Sequence, residues 1–449
     1  MARGMFPIYN LTIHSVFVLL FPYFLFRLLT EKKHRIGLGQ RLGFVPRGVV
    51  KGRRGEPVIW VHSVSVGEVL AASPLVAEIR RRFPGRQLLL STTTVTGHEV
   101  CLKKVAGEGD LVIYFPVDVP FAVRRVMALF SPRVIILMET EIWPNLIGEA
   151  RRRGIELLLV NGRLSNKSFD RYRMVRTFVG PLLRSFSFIG MQTEEGAERM
   201  RELGAPSEVV RVMGSMKYEA ALSSMPREAE VETLRKELGI PERRVIVAGS
   251  THRGEEQLVV RAWMELREKY PDLFVVVAPR HPERFREVEN RLRQAGIRYR
   301  RRTAGLGAGS PCGVMVLDTL GELTKFYGMA SLAFVGKSLT RKGGQNPLEP
   351  AACGKPVIFG RHMENFREVA DLLLAEGGAM EVGSFRELVA AFDSLLADEA
   401  AAREMGGRAR NTVESRTGGV ALAVGELRKV LARGRVRPRR DRAVGDNLL

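Results

Sequence analysis

VIILMETEIWPNLIGEARRRGIELLLV, residues 134–160, is the stretch that decides the fold. It opens on the apolar run Val134–Met138, breaks at once into Glu139-Thr140-Glu141, and passes Trp143-Pro144 into a helical stretch, Leu146–Arg153. A second run, Glu156–Val160, follows. Short, continuous apolar runs without polar alternation mark strands covered on both faces. Strand, helix and strand at this interval form a βαβ unit, whose strands lie parallel.

The same rhythm extends outward. Upstream lie strand signals at Pro57–Val61, Leu88–Thr93 and Leu111–Phe115, separated by helical signals at Glu68–Phe83, Gly97–Val105 and Phe121–Phe130. Downstream the pattern returns at Val245–Ala248, Phe274–Ala278, Val314–Leu317, Leu332–Val335 and Pro356–Phe359. A polar interval, Met225–Arg243, separates the halves and is the expected hinge. The fold class is therefore α/β, with two α/β halves, a cleft between them, and ligands outside the carboxyl ends of the strands. The expected division is 1–48 for an anchor and basic segment, 49–222 for the first domain, 223–417 for the second, and 418–449 for a last helix and a disordered basic tail. No internal repeat stands out.

Bulk properties agree. A chain of 449 residues, 45% hydrophobic, exceeds one ordinary core. Seventy Lys+Arg against 49 Asp+Glu give a formal charge of +21, which favours anionic partners. The three cysteines, Cys101, Cys312 and Cys353, have neither disulfide-framework nor zinc-cluster spacing, and fit a reducing compartment. Residues Phe6–Leu29 are apolar, roughly the length of a bilayer-crossing helix, with Arg27, Lys32, Lys33, Arg35 and Arg41 in and after the stretch. The charge asymmetry places the rest of the chain on the cytoplasmic side. The alternative is a helix lying in the membrane interface, which Asn10, His14 and Pro22 suit better.

Four strand-to-helix junctions carry unusual polar residues. In Trp60-Val61-His62-Ser63-Val64-Ser65-Val66-Gly67-Glu68, Ser65 and Glu68 have capping-box spacing, while Glu68 is also placed to accept a hydroxyl proton. Glu139-Thr140-Glu141 sets two acids just beyond a buried strand, and Asn161-Gly162-Arg163 offers a guanidinium nearby in sequence. Gly249-Ser250-Thr251-His252-Arg253-Gly254 turns a strand into a helix start, where free N–H groups attract anions, and Arg280-His281 ends the next strand. Gly343-Gly344-Gln345-Asn346-Pro347-Leu348-Glu349 is both a well-formed helix start, with Asn346 as cap, and a phosphate cradle. Lys217 is a further candidate anion contact, or a solvated lysine.

Together the blocks HSVSVGE, TTTVTG, YFPVDVP, ETEIWPNL, NGRLSNKS, GSMKYE, AGSTHRGEE, APRHPER, DTLGEL and GGQNPLEPAACGKPVIFG, from Trp60 to about Asn365, resemble the Kdo (3-deoxy-D-manno-octulosonic acid) transferase family of lipopolysaccharide synthesis. The resemblance implies the GT-B arrangement of two Rossmann-like domains facing a cleft, and a metal-independent, inverting glycosyltransferase that needs no cofactor. Its implied donor is CMP-Kdo and its acceptor a lipid A precursor, lipid IVA, met at the cytoplasmic face of the inner membrane. By position it makes Glu68 the general base and Glu141 a second important carboxylate. Ser250, Thr251, Arg280, His281, Gly344, Asn346 and Glu349 would hold the donor, with Arg163 and Lys217 as further anion contacts. In Gly336-Lys337-Ser338, Lys337 stands where the family pattern leads us to expect a second glycine. The arginine runs 80–82 and 151–153 read either as a membrane-docking surface or as solvated helix ends. A cytoplasmic nucleotide-sugar isomerase of the same fold is the alternative. A nucleic-acid binder is the weaker rival, since the basic residues are scattered and no binding module or aromatic platform is present.

Overall fold

The computed structural model describes Pro7, 9–11, Ser15, Leu19, Arg27, 30–31, 35–51, 57–240, 244–304 and 312–433. The chain divides into two compact units, Met1–Met216 with Gly418–Leu449, and Lys217–Thr417.

Among the described residues unit 1 holds seven strands: β1 Ile59–Ser63, β2 Leu88–Thr92, β3 Leu111–Tyr114, β4 Val134–Met138, β5 Glu156–Gly162, β6 Phe188–Met191 and β7 Val210–Val212. All pair parallel, in the order β3-β2-β1-β4-β5-β6-β7. Alternate residues of the central strands serve opposite cores. Trp60, Ile135, Leu137 and Leu159 pack under the helices Pro120–Phe130 and Pro144–Arg153. Val61, Val134, Ile136 and Val160 pack under Val66–Arg82 and the returning helix Gly419–Ala432. Burial on both faces is the reason these strands read as unbroken apolar runs.

Unit 2 repeats the plan with β8 Val245–Thr251, β9 Phe274–Pro279, β10 Arg300–Arg301, β11 Val314–Val316, β12 Leu332–Val335, β13 Val357–Gly360 and β14 Ala379–Val382. Their order is β10-β11-β9-β8-β12-β13-β14, again parallel throughout. In each sheet the order reverses at its first strand. That strand has its successor on one side and a later strand on the other, so a crevice opens beyond their carboxyl ends.

Every expected strand is present within a few residues. Four were not anticipated: β6, broken by Gly190, and the short or half-polar β7, β10 and β14, which lie at sheet edges. The interval 225–243, expected as a hinge, instead holds the helix Glu228–Glu237, whose Leu234 is buried in the unit 2 core. The chain passes between units at Met216/Lys217 and Thr417/Gly418.

The arginine runs, expected to dock to a membrane or to be solvated helix ends, are partly paired within unit 1 while Arg81, Arg82 and Arg152 stay exposed. Arg80 pairs with Asp110 (2.5 Å), Arg81 and Arg82 with Glu78 (2.6 and 2.8 Å), and Arg152 and Arg153 with Glu149 (both 2.6 Å). Glu78 and Glu149 are each shared by two arginines, so three carboxylates face six guanidinium groups and both runs stay net positive. The expected membrane-crossing segment lies largely outside the described residues; its described positions Pro7, 9–11, Ser15, Leu19 and Arg27 are helical. No helix among the described residues is long and apolar enough to cross a membrane. The basic tail, 434–449, is likewise outside them.

Candidate active site

In unit 1 the crevice beyond β1 and β4 receives the two acidic junctions, because those strands are neighbours in the sheet. Glu68 lies in the first turn of Val66–Arg82 and is 7% exposed. Its carboxylate accepts from the Val64 N–H (2.7 Å) and the Ser65 hydroxyl (3.0 Å). Only the glutamate half of the anticipated capping box forms. Ser65 donates to Glu68 and its side chain caps no helix N–H. Burial, and then Glu139, push the Glu68 carboxyl above its ordinary range, against the pull of those donors.

Glu141 is pushed further, to about 7, first by desolvation and then by Glu68 and Glu139. The three acids thus occupy one electrostatic site. Their loop is held at a strained start: Glu139 has φ 56, a left-handed conformation uncommon outside glycine. Thr140 Oγ1 donates to the Arg163 carbonyl (2.6 Å) and accepts from the Arg163 N–H (3.1 Å). The β4 and β5 loops are therefore stapled together, with the Arg163 side chain exposed beside the acids' loop.

An aromatic floor supports this loop. The Phe115 ring stacks on His62 at 3.7 Å and meets Trp143 at 5.4 Å. His62 is fully buried, which drives its pKa to about 3, and its Nδ1 lies 3.0 Å from Ser91 Oγ. It is a neutral structural group, not a proton shuttle. Trp143 Nε1 is buried, and as a donor toward Glu141 it partly offsets the upward shift of that carboxyl.

In unit 2 the equivalent crevice lies beyond β8, β9 and β12. Ser250 forms an irregularity in β8 with φ 54, and Lys337, just after β12, has φ 57. Gly336 approaches β8 so closely that a Cβ would sit 2.5 Å from the Ser250 carbonyl oxygen. Glu255, fully buried, joins the two loops. Its carboxylate accepts from the backbone N–H groups of His252 (2.9 Å), Lys337 (2.7 Å), Ser338 (2.9 Å) and Leu339 (3.0 Å).

Over these loops opens a cavity of about 820 Å³, lined by His252, Arg253, His281, Arg284, Lys337, Arg341 and Lys342, with Glu283 and Glu287 as its acids. Glu287 is already engaged by Arg253, Arg284 and Arg291. Burial lowers the His252 pKa, so its imidazole is neutral at pH 7.

Of the residues singled out from sequence, Glu68, Glu141 and Arg163 lie in unit 1, and the donor set lies with Lys217 in unit 2. His281 lines the cavity. The Arg280 side chain is exposed, and its N–H donates to the Thr251 carbonyl (3.1 Å). Thr251 itself is fully buried. Asn346 Oδ1 accepts from Leu348 N (3.1 Å) and its Nδ2 donates to Glu349 (3.3 Å), but the expected Asn346 cap does not form: the helix is Leu348–Ala352 and Pro347 stands at its cap position, leaving Asn346 to close a turn one residue earlier. Gly344 has φ 69, and a Cβ there would lie 2.6 Å from Met363 Sδ. Lys217 is partly exposed and does not line the cavity. Sequence reasoning placed Glu255 in the Gly249–Glu256 junction without giving it a role, and missed Arg284, Arg341 and Lys342 as members of this site. Four N–H partners for one carboxylate are visible only once the β8 and β12 loops are side by side.

Comparison with known proteins follows the same lines. Residues 37–220 match the family model described as 3-deoxy-D-manno-octulosonic-acid transferase (kdotransferase). The chain is 33% identical over 404 residues to the 3-deoxy-D-manno-octulosonic acid transferase of Haemophilus influenzae, covering 89% of this chain and 93% of that protein. It is 37% identical over 360 residues to that of Bordetella pertussis, covering 78% and 82%. Among solved structures, a UDP-GlcNAc 2-epimerase from Neisseria meningitidis aligns with a TM-score of 0.57 at 15% identity, over 83% of this chain and 100% of that one. That last likeness speaks for the fold alone.

Proposed function

The chain belongs to the Kdo transferase family, and from that premise we propose that it moves Kdo from CMP-Kdo onto a lipid A precursor, lipid IVA, by direct inverting displacement. It is a glycosyltransferase of lipopolysaccharide synthesis, and its two parallel α/β units resemble those of GT-B enzymes. In this reading an acceptor hydroxyl oxygen attacks the anomeric carbon of Kdo. The bond from that carbon to the phosphate oxygen breaks, CMP departs with the electron pair, and the hydroxyl proton passes to Glu68.

The observation that carries the reading is the pair of acids at the β1/β4 crevice. Glu68 keeps donors that favour its ionised form, yet burial and Glu139 make it a stronger base than a solvated carboxylate. Glu141, titrating near pH 7, supplies either a proton to share with the acceptor or a charge to orient it. On unit 2, the cations of the cavity suit a leaving phosphate and the Kdo carboxylate, with Arg280, Ser250, Asn346 and Glu349 around the nucleotide. The amino-terminal apolar segment would hold the enzyme at the inner membrane, where the glycolipid acceptor resides.

The test is incubation with CMP-Kdo and lipid IVA, reading the mass of the glycolipid, for the parent and for Glu68→Ala. Turnover should fall by about 100-fold or more in the variant, as for loss of a general base, with CMP affinity retained. Equal turnover in both would remove Glu68 from the mechanism. Consumption of donor at full rate without lipid would favour the isomerase reading.

A further inference from the structure

Beyond attachment, the amino-terminal segment reaches the helix start that follows the loop carrying Glu141. Tyr9 Oη donates to Asp118 Oδ2 at 3.0 Å, and the Tyr9 ring lies 5.6 Å from that of Phe178. Asn10 Oδ1 accepts from Asn145 Nδ2 at 2.8 Å. On the same stretch Leu11 turns outward, 69% exposed. One side of this short segment therefore grips unit 1 through polar groups.

What it grips is a helix start. Asp118 is buried, and its carboxylate accepts from the N–H groups of Asn145 and Leu146, both at 2.9 Å. Its carbonyl accepts from Asn145 Nδ2 at 2.5 Å. These bonds satisfy donors that the first turn of Pro144–Arg153 would otherwise leave open. The residues just before that turn are 139–143. At their near end they are fixed by Glu139 N donating to the Val160 carbonyl (2.9 Å) and by the Thr140–Arg163 bonds. At their far end they hang from the Asp118 cap.

We infer that Tyr9 and Asn10 are positioning residues, completing the Asp118–Asn145 cap and so setting the loop that carries Glu141. The inference rests on the reading of Glu141 as part of the acceptor site. It makes the amino-terminal segment a working part of unit 1, so that anything moving this segment also moves the acid loop.

The consequence is readable through titration. Glu141 is raised by desolvation, by Glu68 from the helix Val66–Arg82 and by Glu139 from its own loop; Tyr172 faces it from Asn166–Met174 and Trp143 from the loop's end. A loosened loop admits water, which returns the carboxyl toward its ordinary range.

The experiment uses the full chain, CMP-Kdo and a water-soluble acceptor without long acyl chains, so that membrane binding plays no part. Tyr9→Phe keeps the ring against Phe178 and removes only the hydroxyl; Asn10→Ala is combined with it. In the double variant kcat should fall about 10- to 100-fold, as for a small misplacement of a reacting group. The donor KM should stay at the parent value, showing that unit 2 is folded. The rate inflection near pH 7, absent in Glu141→Gln, should move to lower pH, and Tyr9→Phe alone should move it part of the way. Parent-like rates, or a fall in kcat with the inflection unmoved, would overturn the inference. A fully active Glu141→Gln would instead overturn the reading of the acceptor site.

Discussion

Most non-glycine residues in the left-handed region lie at the two candidate sites; the exception among the described residues, Ser131, ends the helix Pro120–Phe130. Glu139, Asn161, Ser250 and Lys337, none of them glycine, all adopt positive φ at the carboxyl ends of strands, around the two candidate sites. Lys337 was legible from sequence as a departure from an expected glycine, and its φ of 57 supplies the reason a glycine suits that position. Left-handed strain costs about 1–2 kcal/mol in a non-glycine residue, and the extra backbone entropy of glycine costs about 0.5–1 kcal/mol. The two nearly cancel. Lys337→Gly should therefore unfold in urea within about 1 kcal/mol of the parent. Loss of its charge from the cavity should still weaken CMP binding about 5- to 10-fold, a difference of about 1 kcal/mol. A variant with parent-like CMP affinity would show that Lys337 only crowds the loop. For Glu141, the raised folded pKa means the folded state holds an extra proton between the ordinary carboxylate range and about 7. Stability from this group is thus present at low pH and lost as pH rises toward 7. Glu141→Gln should consequently melt higher than the parent at pH 8 and lose that advantage at pH 5, and a melting difference independent of pH would contradict the buried carboxyl.

At the scale of elements, the decisive contacts join loops whose strands are far apart in the chain. The strands themselves were legible, since Val134–Met138 or Phe274–Ala278 need only their own apolar residues to be recognised. Edge strands such as β7 and β14 were not, because a strand with one open side keeps polar residues and loses the signal. Glu255 shows why a site residue's role can also be missed. Read locally, it is one more acid in the first turn of Glu255–Leu266, favourable to the helix dipole. In the fold it is fully buried and holds four N–H groups from the β8 and β12 loops. A surface acid contributes a few tenths of a kcal/mol, whereas stranding several buried donors costs about 1–3 kcal/mol for each. Glu255→Ala is therefore expected to lose about 3 kcal/mol or more in urea unfolding and to bind CMP weakly. A loss under about 1 kcal/mol would mean that water replaces the carboxylate readily.

Across the whole molecule, the last helix belongs to the first unit. Val420, Ala423, Val424, Leu427 and Val430 of Gly419–Ala432 join the core that lies under Val66–Arg82. Leu427 is fully buried, so Leu427→Ala should destabilise unit 1 by about 2–5 kcal/mol. CMP at 100 times its Kd should stabilise the unit that binds it by about 2.7 kcal/mol. Calorimetry of the variant with and without CMP should show the mutation and the ligand acting on different transitions; a ligand shift confined to the transition lowered by Leu427→Ala would place the nucleotide on the wrong unit. The amino-acid sequence by itself determined two parallel α/β units, the junctions at which acids and glycines gather, and the family, because apolar runs, turn residues and motif blocks are local properties of the chain. Tertiary structure alone decided that β1 and β4 lie side by side, that Glu68 and Glu139 therefore add to the burial that raises the Glu141 carboxyl, and that Tyr9 and Asn10 meet the helix start beyond them. The physical reason is that strand order and desolvation arise from packing between segments distant along the chain, and no short window of residues records which distant segment will become its neighbour.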